Sequence, residues 1–394
     1  MPDEANDVPA PRGWPDGFGV GTDRDDLLRL ATLRGTLPRE VHRLAWREGS
    51  AGGCVRAIVD GRAGTTGDRG WLASVDPAEV ARATDEAGAR VAGPSDPDYV
   101  DRLLDLPDPP VAIFVLGAPV ASQPPGVAIV GSRHASTLGR EVATGLARGL
   151  AAVGLCVISG AARGIDEAAH VGALAVGGRT VAVLGAGIDH PYPRAGRGFL
   201  SKIVDAGGTL VAEYPPGVPP HARNFPARNR LIAAIASAVV VVEGVDKSGS
   251  RITADHALDL GRDVFAVPGP VTSPLSATPH ALIRDGAILA RDLDDVLDEL
   301  GITARLAAEP PPSLEGPALA AWDALEVPAL PDLVAHRLGV SIPEAIDVLT
   351  GLELRGLIRA VGGRFERRFR VDPPADGAPD AASGDGPPDR IRAG

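Results

Sequence analysis

The feature that most constrains the fold is a series of short apolar runs that alternate with helical patterns beyond Val111. Strands that are apolar on both faces belong in parallel sheets covered by helices. The strand-like runs are Val127–Val130, Cys156–Ile158, Val181–Leu184, Thr209–Val211, Val239–Val242 and Val264–Val267. The helical patterns between them are Thr137–Val153, Asp166–Val176, Phe199–Ala206, Arg228–Ser237 and Arg251–Leu260. This order predicts an α/β fold with a doubly wound parallel sheet, whose ligands bind at the carboxyl ends of the strands.

Smaller segments flank this α/β domain, which we assign to residues 111–301. Residues 1–21 are rich in Pro, Gly and Asp and are expected to be a disordered leader. Short helical patterns predict a small helical domain at 22–110, and three prolines mark a linker at 302–316. Residues 317–371 combine helix, helix-turn-helix and hairpin patterns, which predicts a winged-helix-like domain. The composition of residues 372–394 predicts a disordered tail.

Charge and cysteine content limit the classes of function. The 394 residues include 51 acidic and 39 basic side chains, which gives a net charge of −12. This balance argues against a surface coated with nucleic acid but is compatible with a local basic groove. Cys54 and Cys156 lack metal-type spacing, no secretory signal is evident, and the apolar run Leu231–Val242 is too short to span a bilayer. We therefore expect a cytoplasmic protein without a membrane partner.

Two clusters of Gly, Ser and Arg follow the first two strands of the predicted parallel sheet. A glycine turn, free amides at the next helix start and a guanidinium favour phosphate binding, although a structural turn is the alternative. In the second cluster, Asp166 could cap the helix or orient Arg163. The first cluster is Gly131, Ser132, Arg133, Ser136 and Gly139, and the second is Ser159, Gly160, Arg163, Gly164 and Asp166.

Two further clusters follow later strands. Guanidinium groups bind phosphates, and an aromatic ring stacks a base for about 1–3 kcal/mol. Three close arginines repel one another unless an anion lies between them, which favours a phosphate-binding role for the third cluster. The alternative is a structural role, in which the cluster is a polar helix start and Phe225 packs in the core. Small hydroxyl residues at a helix start bind phosphate or cap the helix. The third cluster is Arg223, Phe225, Arg228, Asn229 and Arg230, and the fourth is Lys247, Ser248, Gly249, Ser250 and Thr253.

Common enzyme motifs are absent from the sequence. It contains no Walker sequence, no His-Glu-x-x-His and no Gly-x-Ser-x-Gly. The turn at Gly131 is not followed by the spaced acidic residue that would hold a ribose in an NAD site. We therefore predict no catalytic residue, no metal and no cofactor.

Taken in chain order, these clusters resemble the DNA-processing protein A family (DprA, also called Smf). The resemblance covers about Val111 to Leu300 and rests on Gly131–Arg133, Ser159–Asp166, Val183–Asp189, Glu213–Pro215, Phe225–Arg230, Ser248–Ser250 and Val267–Gly269. It implies an extended Rossmann-like fold that binds single-stranded DNA, forms a homodimer and helps to load the recombinase RecA in natural transformation. It also implies a strand-binding pocket, with Phe225 as a base platform, lined by Arg133, Arg163, Arg228, Asn229, Arg230 and Ser248–Ser250.

Three departures from the family pattern are visible. His221, Ala222 and Arg223 stand where the family often has two lysines, so Arg223 is expected to supply the charge. The usual Ser-Gly-Ser-Leu ends here in Arg251. Thr278–His280 replaces an expected Gly and Asn, which bears on the conformation of that loop more than on DNA binding.

The sequence also bears on the role of the C-terminal domain and on two alternative functions. The helix that begins at Ile342 is acidic and apolar, which favours a protein-contact or structural role, although Arg364, Arg367, Arg368 and Arg370 could touch phosphates. One rival is a phosphoribohydrolase of the lysine-decarboxylase-like fold, but its Pro-Gly-Gly-x-Gly-Thr signature is missing. The other is a transcription regulator, which would require sequence-dependent duplex binding. A non-enzymatic mediator of recombination is the leading hypothesis.

Overall fold

The computed structural model describes residues 11–190, 197–302, 314–325, 329–355, 357–361 and 363–367. The chain divides into two compact units, Met1–Ala308 and Glu309–Gly394. Residues 1–10 of the expected leader, most of the expected linker, Arg368, Arg370 and the expected tail lie outside the described residues. The rest of the expected leader is ordered, because Trp14 and Phe18 are buried in the apolar core of the first helices. Within the described ranges, no helix is both long and apolar enough to cross a membrane.

The first unit begins with five helices that enclose a small apolar core. The central helix of the five is buried along almost its whole length, and the Ser50 side chain accepts a hydrogen bond from Gly53 N at its start. Asp23 fixes the same start, because its carboxylate accepts from the backbone N–H groups of Ala51 and Gly52, both at 2.7 Å. The helices are α1 (Arg24–Ala31), α2 (Pro38–Glu48), α3 (Ala51–Val59), α4 (Thr66–Ser74) and α5 (Pro77–Glu86).

A sheet of nine strands, counted over the described residues, forms the centre of the first unit. The strands are β1 (Arg90–Ala92), β2 (Ile113–Gly117), β3 (Gly126–Val130), β4 (Cys156–Ser159), β5 (Thr180–Leu184), β6 (Thr209–Ala212), β7 (Ala238–Val241), β8 (Asp263–Ala266) and β9 (Ile288–Leu289). Their order in the sheet is β1-β2-β6-β5-β4-β3-β7-β8-β9. The run from β6 to β9 is parallel, while β1 and β2 pair antiparallel at one edge. The predicted α/β fold class is therefore confirmed.

Seven helices, counted over the described residues, follow the strands from β3 onward, and the first five agree closely with the five sequence patterns, with one informative exception. The helices are α6 (Thr137–Ala152), α7 (Ile165–Leu174), α8 (Arg197–Asp205), α9 (Asn224–Ile235), α10 (Gly249–Asp259), α11 (Ala277–Arg284) and α12 (Leu293–Glu299). Helix α9 begins at Asn224, whereas the sequence pattern predicted a start at Arg228. Phe225 therefore lies in the first turn of this helix instead of in the preceding loop.

The topology brings two distant loops to one edge of the sheet. From β3 the chain winds through β4 and β5 to β6, then crosses back to place β7 on the other side of β3. Strand order reverses at this point, so the loops after β3 and β7 diverge and leave a crevice at their carboxyl ends. The sheet thus forms its ligand-binding edge where the first and fourth sequence clusters begin.

The second unit contains three helices and a two-stranded antiparallel sheet among its described residues. They are α13 (Gly316–Asp323), α14 (Pro331–Leu338), α15 (Ile342–Leu354), β10 (Ile358–Val361) and β11 (Arg364–Arg367). Ser341 and Glu344 form a capping box at the start of α15, which satisfies backbone donors at both residues. Assignment of this unit as a winged helix stays a prediction, as do the boundaries of the smaller domains.

Candidate functional site

An open cavity of about 390 Å³ lies at the carboxyl ends of β3 and β7. We call it the edge cavity. Parallel strands end at the same edge of a sheet, so turns that are far apart in the sequence meet there. Each of the four predicted clusters contributes to the lining, through Gly131, Ser132, Arg133, Asp166, Phe225, Arg228, Asn229, Ser248, Gly249, Ser250 and Thr253.

Arg133 and Phe225 form the most accessible cationic feature of the edge cavity. The Cζ atom of Arg133, an exposed residue, lies 4.7 Å from the centroid of the Phe225 ring, and Phe225 is half-buried. A cation–π contact of this kind contributes about 0.5–1 kcal/mol at an exposed site. This contact uses none of the guanidinium N–H groups as hydrogen-bond donors, so these groups can still donate to an anion. The pair therefore offers a charge for phosphate beside a ring for a base.

Arg228 also lines the edge cavity, but it is only 3% exposed. Its Nη1 donates to the Gly160 carbonyl at 2.7 Å and to the Val183 carbonyl. Burial lowers the pKa of Arg228 to about 10, although the attraction of Asp166 opposes that change. Arg228 thus fastens α9 to the ends of β4 and β5, and its first role is to position the helix.

Asp166 is the buried counterpart of Arg228. Burial raises the pKa of the Asp166 carboxyl group, while attraction to Arg228 acts in the opposite direction. Gly160 is required beside them, because a Cβ atom there would lie 2.5 Å from Arg228 Nη2 and 2.7 Å from Asp166 Oδ2. Asp166 accepts from the Ala162 N–H at 3.4 Å and gives α7 no N-cap. Its electrostatic partners are Arg228 and Arg133, instead of the predicted Arg163.

Arg230 departs from the sequence prediction, because it does not line the edge cavity. Its Nε donates to Asp108 at 2.9 Å and its Nη2 donates to Glu213 at 2.6 Å. Burial works against the charge of Arg230, but the two carboxylates outweigh burial and raise its pKa. Residues two apart on a helix point to different sides, so Arg228 and Arg230 cannot face one pocket. Arg230 therefore belongs to an internal ion-pair network and does not share the edge cavity with Arg133 and Arg228.

Ser136 and Gly139 are also used internally. Glu243, which follows β7, accepts from the Ser136 backbone N–H at 2.9 Å and from the Ser136 hydroxyl at 2.6 Å. The Ser136 Oγ in turn accepts from Gly139 N at 2.9 Å, and a Cβ at Gly139 would lie 2.3 Å from the Glu243 carboxylate. A carboxylate of this chain therefore occupies the start of α6, where the sequence predicted a phosphate. Glu243 is a functional neighbour that local sequence patterns missed.

Several other predicted residues lie outside the lining of the edge cavity. Ser159 is fully buried and its hydroxyl donates to the Ile129 carbonyl at 2.6 Å, so its role is structural. Gly164 has φ 89° and lets the Ser132 carbonyl approach, since a Cβ there would lie 2.2 Å from that oxygen. The remaining three are exposed cations near the predicted pocket that do not line it: Arg163, Arg223 and Lys247.

The fourth cluster forms a hydroxyl-rich turn at the start of α10. Ser248 Oγ lies 2.7 Å from Ser250 Oγ and 3.0 Å from Thr278 Oγ1. Asn229 supports the turn from α9, because its Nδ2 donates to the Gly249 carbonyl at 3.0 Å. Ser248 is the N-cap residue of α10 but makes no side-chain cap bond, which leaves the first amides of the helix for an anion. The expectation of a loop at Thr278–His280 was wrong, because these residues lie in the first turn of α11, from which Thr278 braces the hydroxyl-rich turn.

The described residues hold no group of three His, Cys, Asp or Glu side chains that could bind a metal ion. Both cysteines are free and buried, and burial raises the pKa of each thiol to about 12. The edge cavity presents guanidinium, hydroxyl, amide and aromatic groups, together with the imidazole of His134 and the carboxyl group of Asp166. Guanidinium, hydroxyl and amide groups suit phosphates, and an aromatic ring suits a base.

Comparisons relate the chain to proteins of known sequence and structure. The family described as DNA recombination-mediator protein A matches residues 90–301. Protein Smf of Escherichia coli (strain K12) is 40% identical over 284 residues, which cover 69% of this chain and 76% of that protein. The DNA processing protein DprA of Streptococcus pneumoniae is 42% identical over 197 residues, covering 50% of this chain and 69% of that protein. The X-ray structure of DprA from S. pneumoniae superposes with a TM-score of 0.62 at 33% identity, covering 71% of this chain and 98% of that one.

Proposed function

The chain belongs to the DNA recombination-mediator protein A family, and on that premise we propose that it binds single-stranded DNA at the edge cavity. The observation that carries the proposal is the exposed guanidinium of Arg133 over the Phe225 ring, in one cavity with the hydroxyl-rich turn of Ser248 and Ser250. Phosphate donors and a stacking ring together match the two repeating parts of an unpaired strand.

The shape of the cavity favours an unpaired strand over a duplex. A stacked and paired base has no free face for Phe225, whereas a base of a single strand can turn into a cavity of about 390 Å³. The net charge of −12 repels a polyanion elsewhere on the surface and confines binding to this edge. We propose no sequence-specific readout.

Family membership supports a wider role for the strand-binding protein. We propose that it acts in the cytoplasm as a non-enzymatic mediator, which protects incoming strands and assists loading of RecA as a homodimer in transformation or recombination. Glu243, which follows β7, is held by Ser136 at the start of α6 and does not line the edge cavity, which is consistent with a binding role. No observation favours the rival phosphoribohydrolase.

Replacing Arg133 in the full chain tests the proposal. Loss of a charge-assisted contact of about 1.5–3 kcal/mol should weaken binding of a fluorescent oligo(dT) by roughly 10- to 100-fold. Because one phosphate contact disappears, the slope of log K against log salt should become shallower by about 0.7. The measurement is fluorescence anisotropy of Arg133→Ala at several salt concentrations.

Arg82→Ala is the matched control, because Arg82 is an exposed arginine of α5 outside the edge cavity. This variant should bind the oligonucleotide within twofold of the parent and with the same salt slope. Both variants should melt within about 2 °C of the parent, since neither side chain is buried and Arg133→Ala loses only the contact with Phe225. If Arg133→Ala binds as tightly as Arg82→Ala at every salt concentration, the edge cavity is not the strand site.

A further inference from the structure

A second and larger cavity of about 610 Å³ lies between the turn that joins α1 to α2 and the start of α9. We call it the inner cavity. Its wall is mainly apolar, with Leu30, Leu33, Val41 and Val111 among the lining residues. Cavities of this size and character commonly bind small ligands through a few well-placed polar groups. Nothing in the proposed strand site uses this space.

The key polar group of the inner cavity is Arg230. Its side chain is 6% exposed and lines the cavity, and its Nε and Nη2 are taken by Asp108 and Glu213. The third nitrogen, Nη1, is buried and has no hydrogen-bond partner in the described structure. An unmade buried hydrogen bond is costly, and native structures rarely keep one without a reason. Nη1 is therefore a donor without an acceptor in the described structure, on a side chain that lines the inner cavity.

The charges around Arg230 define which acceptor suits it. Two carboxylates already balance its single positive charge, so an anion placed there would meet net negative charge. A neutral acceptor, such as a carbonyl oxygen or a ring nitrogen of a heterocycle, can take the Nη1 hydrogen bond without that penalty. The interior of the cavity thus favours a flat, neutral, largely apolar group.

Cations stand at the accessible part of the same cavity. Arg34, His221 and Arg223 are exposed lining residues, in contrast to the buried and neutralised Arg230. A ligand with a neutral heterocycle inside and an anionic group at the mouth would satisfy both regions. We propose that the inner cavity is a nucleotide site, where the base accepts from Arg230 Nη1 and the phosphate lies near Arg34 and Arg223.

Helix α9 connects this site to the edge cavity. Ala227 and Arg230 line the inner cavity, while Phe225, Arg228 and Asn229 line the edge cavity. A nucleotide in the inner cavity could be a free mononucleotide or one unit of a bound strand, and the second source rests on the proposed function. Both sources present the same base and phosphate to the cavity.

A pair of alanine variants separates the two cavities. Ala227 and Ala222 are both exposed, and a tryptophan would fill the inner cavity in Ala227→Trp and the edge cavity in Ala222→Trp. Calorimetry with thymidine monophosphate measures the free nucleotide, and anisotropy with oligo(dT) measures the strand. For a free nucleotide, Ala227→Trp should weaken monophosphate binding at least tenfold while Ala222→Trp leaves it unchanged.

In the second case, the nucleotide in the inner cavity is one unit of a bound strand. The parent protein should then not bind the monophosphate, and Ala227→Trp should weaken oligo(dT) binding at least tenfold. Unchanged binding of both ligands by Ala227→Trp would overturn the nucleotide site. Loss of monophosphate binding in Ala222→Trp alone would also overturn it and place the nucleotide in the edge cavity. The proposed function fails separately, when Arg133→Ala and Ala222→Trp both leave oligo(dT) binding unchanged.

Arg34→Ala keeps the test valid if Ala227→Trp does not fold, because Arg34 is exposed. In the free-nucleotide case the parent should prefer thymidine monophosphate to thymidine, and Arg34→Ala should reduce that preference at least threefold. In the strand case it should weaken oligo(dT) binding by a similar factor relative to Arg82→Ala. A phosphate preference and an oligo(dT) affinity that both equal those of the parent would remove Arg34 from the site and contradict the proposal.

Discussion

Replacing Arg230 with methionine should destabilise the first unit. The substitution keeps the length and much of the apolar volume of the side chain but removes its charge. Glu213 and Asp108, whose side chains are 13% and 29% exposed, then face each other's charge without a cation between them. Removing one partner of a buried ion pair is costly because it leaves an uncompensated charge in a poorly solvated place.

The magnitude follows from how deeply each partner is buried. Breaking a buried pair typically costs about 3–5 kcal/mol. Asp108 is the more exposed carboxylate, so water screens part of its charge, and removal of the unpaired Nη1 offsets a further part. We therefore expect about 3 kcal/mol, the lower end of that range. For a unit that spans Met1–Ala308, the entropy of unfolding is about 0.6 kcal/mol/K, so such a loss lowers the melting temperature by roughly 5 °C.

A double-mutant cycle with Glu213→Gln tests the mechanism. Neutralising Glu213 in the Arg230→Met background should recover a large part of the lost stability, because the pair is removed as a whole. Arg12→Ala is the control, since Arg12 pairs with Asp105 at 2.9 Å but its side chain is 81% exposed. Loss of such a surface pair should cost less than about 1 kcal/mol.

Scanning calorimetry of the four full-length variants gives the result. If the melting temperature of Arg230→Met equals that of the parent, the ion pairs of Arg230 with Glu213 and Asp108 do not stabilise the first unit and the reasoning is wrong. If it also loses oligo(dT) affinity at an unchanged melting temperature, Arg230 contacts the strand directly, as the strand case of the inner cavity requires.

Two further expectations concern buried or capping groups. Glu243→Ala should lower the unfolding free energy by about 1–2 kcal/mol in denaturant titrations, because α6 loses the carboxylate that accepts from Ser136, while exposed Glu86→Ala should change it by less than about 0.5 kcal/mol. Equal effects of both would contradict this role. Burial, together with the nearby charge of Arg228, lowers the pKa of His170 from 6.5 to about 3, so the unfolded chain binds a proton that the folded chain excludes. The stability contribution is full above pH 6.5 and falls by up to about 1.4 kcal/mol per pH unit as the pH drops towards 3. Unfolding curves of His170→Asn between pH 7 and 5 should show a shallower loss than the parent, and parallel losses would refute the assignment.

The sheet and the meeting of the four clusters could be predicted because both depend on short-range patterns. Six apolar runs correspond to β3 through β8, with ends that differ by at most one residue. Once these strands are parallel, the turns that follow them must lie at one edge, as Arg133, Phe225 and Ser248 do in the edge cavity. No knowledge of side-chain packing was needed for this step.

The use of individual charges could not be predicted, because each depends on partners far away in the chain. The stretch between His221 and Arg230 contains no acidic residue, yet Arg230 meets Asp108 across 122 residues and Glu213 across 17. Ser136 and Glu243 are 107 residues apart. The earlier start of α9 also matters, because it turns Arg228 and Arg230 to different sides of one helix. Local composition therefore identified the right segment but overcounted its free cations.

The division between buried and exposed arginines decides how DNA-binding data from this protein should be interpreted. Arg228 anchors α9 to the Gly160 carbonyl, and this anchor holds Phe225 against Arg133, so its removal would reduce strand affinity by disordering the site. Such an indirect loss lowers the fraction of competent protein and leaves the number of phosphates contacted per complex unchanged. The salt slope counts those phosphates. A fall in affinity with a constant slope therefore identifies a positioning arginine, and a fall with a shallower slope identifies an arginine that touches the strand.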